Sequence, residues 1–189
     1  MKSQNKLFAR MIASCRHFAH LALTLVALGN APFARGQNDC KVVFDADDRL
    51  TATPHHGYVT TTLQGKGAKQ VTGEDIFAGG VVYVQVRGAW RKSPMIAEQR
   101  QNQQLENRKN ARNVSCHLLR NEVVNGEPAE VYSFHAETED LKSDSLVWIS
   151  KSKRLILRQE QDLDPGLGDK SHTSTRDEYT NVSAPNISR

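Results

Sequence analysis

The chain has 189 residues, 25 Lys plus Arg against 21 Asp plus Glu, and 38% hydrophobic content, a balance that suits a globular domain and excludes a disordered or wholly membrane-embedded chain. Its formal charge of +4 is unevenly placed, because Lys2, Lys6, Arg10, Arg16 and Arg35 all fall in the first 36 residues, which hold no acidic side chain. Without those five the remaining 20 basic residues face 21 acidic ones, so the basicity of the whole chain gives no reason to expect a nucleic-acid partner.

The first element is a basic segment leading into the apolar run Leu21 to Leu28, interrupted only by Thr24. That order is the one of a secretory signal peptide, and the run is far short of the ~20 apolar residues that span a bilayer, so no transmembrane anchor is expected in the mature form. Small residues at Ala34 and Gly36 point to cleavage after Gly36, with Gly29 and Ala31 as a second site ahead of Pro32 and Met11 as an alternative start. Residues 1–36 are thus expected to be a signal peptide, and residues 37–189 one domain working in the periplasm or outside the cell. Ile12-Ala13-Ser14-Cys15 has the look of a lipoprotein processing box, but it precedes the apolar run instead of following it, so Cys15 belongs to the leader. Two cysteines remain, Cys40 and Cys116. In an oxidising compartment such a pair predicts a disulfide, the alternative being two buried thiols, and neither has a neighbouring cysteine with which to build a zinc site.

Val42, Val43, Ala46 and Leu50 recur at helical spacing from Asp39 to Leu50, and Asn38 or Asp39 can cap the first turn. Strands are expected over His56–Leu63, Lys69–Ala78 and Val81–Val86, and Gly88 turns the chain toward Trp90. Met95–Arg112 is rich in Gln, Asn, Lys and Arg with few apolar positions, which reads as an exposed helix or, since so sparse a stripe anchors weakly, a loop. Strands over Asn113–Val124 and Ala129–Thr138 flank the hairpin signal Asn125-Gly126, and Pro128 is expected to lengthen that turn beyond two residues. Ser145–Ser150 and Arg154–Leu163 form a further hairpin, and Ser171–Val182 a last strand. Helix, four strands, helix and five strands make an α+β domain on one large antiparallel sheet. Consecutive apolar residues at Val147-Trp148-Ile149 and Leu155-Ile156-Leu157 imply cover on both faces there, with the helices as the obvious cover. A bond from Cys40 to Cys116 would place the first helix over Val114 and Leu118.

Motifs for chemistry are sparse, and no cofactor is expected. His135, Glu137 and Glu139 alternate along a strand, a spacing that metal sites use, although a solvated strand end has the same pattern. His55-His56 reads as loop. Ser171, His172 and Asp177 supply the residue types of a hydrolytic triad without a nucleophile elbow. Gly79-Gly80 and Gly166-Leu167-Gly168 lack a phosphate-loop pattern, and Asn113, Asn181 and Asn186 head glycosylation sequons that matter only in a eukaryotic host. The aromatic residues of the sheet could fill a core or line a lipid cavity.

The meander ending in Val82-Tyr83-Val84 to Gly88-Ala89-Trp90, the polar insert, the L-V-W-I-S and R-L-I-L-R-Q-E hairpin from Leu146 to Glu160 and the closing Asp177 to Pro185 together resemble the exported bacterial half-barrel superfamily. That superfamily includes the periplasmic lipoprotein carrier and lipid-binding envelope proteins, and the chain is most similar to members without an assigned function. The resemblance implies a curved half-barrel sheet, with an N-terminal helix and a second helix inserted mid-chain. It also implies a non-enzymatic role, with Tyr83, Trp90, Leu118, Tyr132, Phe134 and Trp148 as ligand contacts for an apolar ligand or lipid-modified polypeptide. A module that docks an envelope protein, using the polar Met95–Arg112 segment or a free sheet edge, is the alternative.

Overall fold

The computed structural model describes residues 33–65 and 68–187, with side chains from residue 39 onward. The expected leader lies outside the described residues as far as residue 32. The chain from there forms α1 (Phe33–Ala52), β1 (His55–Gln64), β2 (Lys69–Ala78), β3 (Val81–Val86), β4 (Ala89–Lys92), α2 (Ala97–Asn110), β5 (Arg112–Val124), β6 (Glu127–Glu137), β7 (Lys142–Ser150), β8 (Ile156–Asp164) and β9 (Lys170–Glu178). Among the described residues no helix is long and apolar enough to cross a membrane.

The strands form one curved antiparallel sheet in the order β4-β3-β2-β1-β9-β8-β7-β6-β5, so the fold is the expected α+β half-barrel. Two meanders, β1 to β4 and β5 to β9, are joined where the first strand pairs with the last, with Gly57 opposite Asp177 and Thr61 opposite Thr173. This topology dictates the role of α2. It leaves β4 at one edge of the sheet and must deliver the chain to β5 at the other, so the polar segment bridges the two edges.

One face of the sheet carries α1. Val43 and Ala46 pack on Cys116, Tyr132, Val147, Ile149 and Ile156, a cluster whose members are 0–5% exposed. The Cys40–Cys116 disulfide, with Cα atoms 5.0 Å apart, ties the helix to β5. Among the described residues α1 runs from Phe33, six residues before the expected Asp39. Val114 and Leu118 do face the α1 side but stay 38% and 47% exposed, because β5 is an edge strand with no neighbour beyond it.

The β5–β6 turn is shorter than expected. Asn125 and Gly126 both have positive φ (51° and 82°), closing a two-residue turn with Val124 opposite Glu127. Pro128 stands opposite Val123, one step beyond the closing pair, where a residue's N–H points away from the partner strand and the missing donor breaks no rung. On the opposite face, Trp148 (4% exposed), Val131, Ala129 and Leu157 form a second cluster, so the Val147–Ile149 run is buried on both sides as expected. Its cover is different from the one anticipated: α1 shields only the Val147 side, whereas Tyr179, just past β9, packs on the other cluster and donates its hydroxyl to the Ile156 carbonyl. The last strand accordingly ends at Glu178 and not at Val182, which is used instead to cover Ile76, Ala78 and Tyr83.

Candidate ligand-binding cavity

Strand alternation and two helical stripes meet in a cavity of about 420 Å³ between the helices and the sheet. α1 contributes Val43, Phe44 and Asp47 to its wall, α2 contributes Gln104, Asn107 and Arg108, and the floor comes from alternate residues of β6, β7 and β8: Phe134 and Ala136, Ser143 and Val147, Gln159, Gln161 and Leu163. The floor is apolar under α1 and becomes polar toward the middle of the sheet. Phe44 and Phe134 meet edge to face with ring centres 6.0 Å apart.

The α2 wall is held by polar contacts, since α2 has no buried residue of its own. One guanidinium nitrogen of Arg108 donates to Asp47 at 2.7 Å, lies 2.8 Å from Asp48 and reaches the Phe44 carbonyl at 3.3 Å, while the guanidinium sits 4.8 Å over the Phe44 ring. Gln104 Nε2 donates to the other Asp47 oxygen at 3.1 Å. Burial pushes the Asp47 carboxyl up from its ordinary value, and Arg108 offsets only part of that effect. Phe44, Arg108 and Val114 also border a wider recess of about 660 Å³ beside the disulfide, so these three form the partition between the cavity and that outer groove.

Of the six expected ligand contacts, Phe134 lies on the cavity floor. Tyr132 and Leu118 share its face as cross-strand neighbours under α1, and the Tyr132 hydroxyl donates to Glu130 at 2.9 Å, burial and that carboxylate pushing its pKa up to about 12. Tyr83, Trp90 and Trp148 lie on the opposite face. Tyr83 and Trp90 belong to the cluster under Val182, and Trp148 donates from its indole to Glu122 at 2.6 Å with Arg158 over its ring. Among the cavity residues that sequence reasoning did not single out are Gln104, Asn107, Arg108, Ser143, Gln159 and Gln161. Their one signal is periodicity: Gln104 and Arg108 stand four apart on a helix, and Gln159, Gln161 and Leu163 alternate on a strand.

The other candidate groups fall elsewhere. His135 Nδ1 is 2.7 Å from Asp144 and its Nε2 3.6 Å from Glu137, and among the described residues no group of three or more potential ligands has a geometry that could hold a metal. His172 is bracketed by Asp162 at 2.9 Å and Glu160 at 2.8 Å. Ser171 and Asp177 are odd-numbered on the same strand and project from the face opposite His172, so that triad is not assembled. His55 and His56 open β1 instead of lying in a loop. His55 is 2% exposed, hydrogen-bonds the Thr53 carbonyl at 2.9 Å and stands 3.7 Å from Asp75.

No family model and no curated relative matches the sequence. Among solved structures the chain is similar to the lipoprotein LppX of Mycobacterium tuberculosis (15% identity, TM-score 0.45, 78% of this chain and 97% of that one). It is also similar to LprF of Mycobacterium bovis (12% identity, TM-score 0.43, 79% and 97%). A LolA superfamily protein of Nitrosomonas europaea aligns at 8% identity and TM-score 0.24, over 74% and 91% of the two chains.

Proposed function

We propose that the protein is an exported, non-enzymatic carrier or receptor for an apolar ligand or an acyl chain, working in the periplasm or outside the cell. The observation that supports this reading is the cavity itself, which falls within the ~300–1,000 Å³ range of small-molecule sites and is lined by Val43, Phe44, Val114, Phe134, Val147 and Ile156 beside a few polar groups. Burial of an acyl chain there would contribute ~0.8 kcal/mol per methylene. Entry requires the α2 wall to move, and its polar, unburied attachment makes it the wall that yields first. The basic leader and the disulfide both accord with an oxidising compartment outside the cytoplasm. Binding of the neutral fluorophore N-phenyl-1-naphthylamine, lost on Ala136→Phe with the fold retained, tests the site, and native mass spectrometry of protein from its own host tests for a resident ligand. An absence of both probe binding and co-purifying mass would sink the reading.

A second reading, docking of an envelope protein along α2, is favoured by the exposure of Met95, Ile96 and Leu105 at 39%, 54% and 44%. In-cell crosslinking from Leu105 to one defined protein, together with an empty cavity, would replace the first reading with this one.

A further inference from the structure

The cavity and the outer recess are kept apart by the side chains that line both, Phe44, Arg108 and Val114. Of the three, the Phe44 ring is held from two sides. Phe134 meets it edge to face with ring centres 6.0 Å apart, and the Arg108 guanidinium lies 4.8 Å over it. Arg108 is itself tied to Asp47 at 2.7 Å and to Asp48 at 2.8 Å, so the aromatic part of the partition is clamped in place from α1, α2 and β6 together.

Volume and lining then say where that partition acts. One water-sized group takes up ~30 Å³ in a liquid, so the cavity of about 420 Å³ holds on the order of a dozen heavy atoms, the size of one medium-length chain and not of two. The recess beyond the ring, about 660 Å³ and lined by both disulfide cysteines, would add room for at least as much again. The cavity lining grades from Gln159 and Gln161 on β8 to Phe134 on β6 and Val114 on the β5 edge. Apolar groups settle where they leave water most completely, so an amphiphile lies with its polar end over β8 and its chain running toward β5. Phe44 stands at that far end, between the chain and the recess.

We infer that Phe44 is the stop that sets chain length: the cavity takes a single unbranched apolar chain of about a dozen carbons, which ends against this ring instead of continuing into the recess beside the disulfide. This rests on the cavity being the binding site proposed above.

The test is displacement of N-phenyl-1-naphthylamine from the full-length chain by the straight-chain alkanoates from octanoate to octadecanoate, below their micellar concentrations, so that one head group serves throughout. In the wild type each added methylene is expected to improve competition about fourfold until the cavity is full, near dodecanoate or tetradecanoate, and to gain nothing after that. Native mass spectrometry of the wild type is expected to show one dodecanoate per chain. In Phe44→Ala the gain continues through the longer members, leaving octadecanoate at least about tenfold better relative to dodecanoate than in the wild type. Val114→Ala thins the same partition at a residue already 38% exposed, and is expected to move the limit the same way by less; it carries the comparison if Phe44→Ala does not melt cooperatively. A wild-type series that improves all the way to octadecanoate, two dodecanoates per chain, or a limit left unmoved by Phe44→Ala, or by Val114→Ala where only that variant folds, would overturn the inference and leave the cavity as a site that does not measure its chain. No probe binding by the wild type would overturn the site and the inference together.

Discussion

Asp75 and Asp177 each bring one carboxylate oxygen over Gly57, into the space a Cβ would take, and Gly57 lies between them on β1 with Asp75 opposite on β2 and Asp177 opposite on β9. His55, two residues back on the same face, stands 3.7 Å from Asp75, and Arg100 on α2 contributes a more distant positive field. Asp177 is 8% exposed, and burial, with Asp75 adding to it and His55 and Arg100 opposing it, pushes its pKa up to about 7. Burial alone would lower His55, yet Asp75, the Thr53 carbonyl and Asp177 outweigh it and raise the imidazole above its ordinary value. Both groups bind a proton more tightly in the fold than in the unfolded chain, so their stabilisation is complete at acid pH. It fades as pH climbs from the ordinary carboxylate range through about 7. Asp177→Asn should flatten this dependence and leave the variant roughly 2 kcal/mol more stable relative to wild type at pH 8 than at pH 5, read from urea unfolding at the two pH values.

Gly57 is glycine for room and not for backbone angle. A Cβ there would stand 2.5 Å from Asp75 Oδ1 and 3.3 Å from Asp177 Oδ1. Gly57→Ala should cost ~1–3 kcal/mol by overpacking, and Asp75→Ala should recover most of it in the double variant. Additive losses in that cycle would mean the carboxylate is not what fills the space.

Cys40 and Cys116 are separated by 76 positions, and reduction releases α1 from β5. The chain-entropy model puts the loss at about 4 kcal/mol, so the reduced protein or Cys40→Ser/Cys116→Ser should unfold at markedly lower urea concentration. Faster amide exchange in α1 than in β6 and β7 would locate the loosening.

Arg108 is the fastening of the α2 wall. Arg108→Met removes the partner of Asp47 and Asp48 and the cover of Phe44, and should accelerate exchange of α2 amides while raising the association rate of an apolar probe several-fold. Unchanged exchange in α2 would show that other contacts hold the helix.

The strands were legible where β-branched residues cluster between turn signals. Lys69–Ala78 and Val81–Val86 match to the residue. Pro128 misled because a proline's cost depends on which side its missing donor faces, and single-chain reading does not reveal that side. α2 read as either helix or loop for a physical reason that persists in the structure: nothing apolar buries it, and it is fastened by Arg108 and Gln104. The aromatic residues were conspicuous, but their face depends on register, and of the six expected contacts only Phe134 reached the cavity. The glutamines of β8 and the His55, Asp75 and Asp177 group were invisible because their partners lie on strands distant in sequence and adjacent only across the sheet.

The pairing of β1 with β9 also sets the order in which the molecule can be made. The first meander and the second are each local, but the seam between them needs the nine-residue β9, so the sheet stays two separate pieces until that strand has been delivered. Such a seam has a high contact order and closes late. If the chain is threaded N-terminus first across a membrane, that delay leaves the seam open until β9 arrives, and the sheet can knit shut only on the far side.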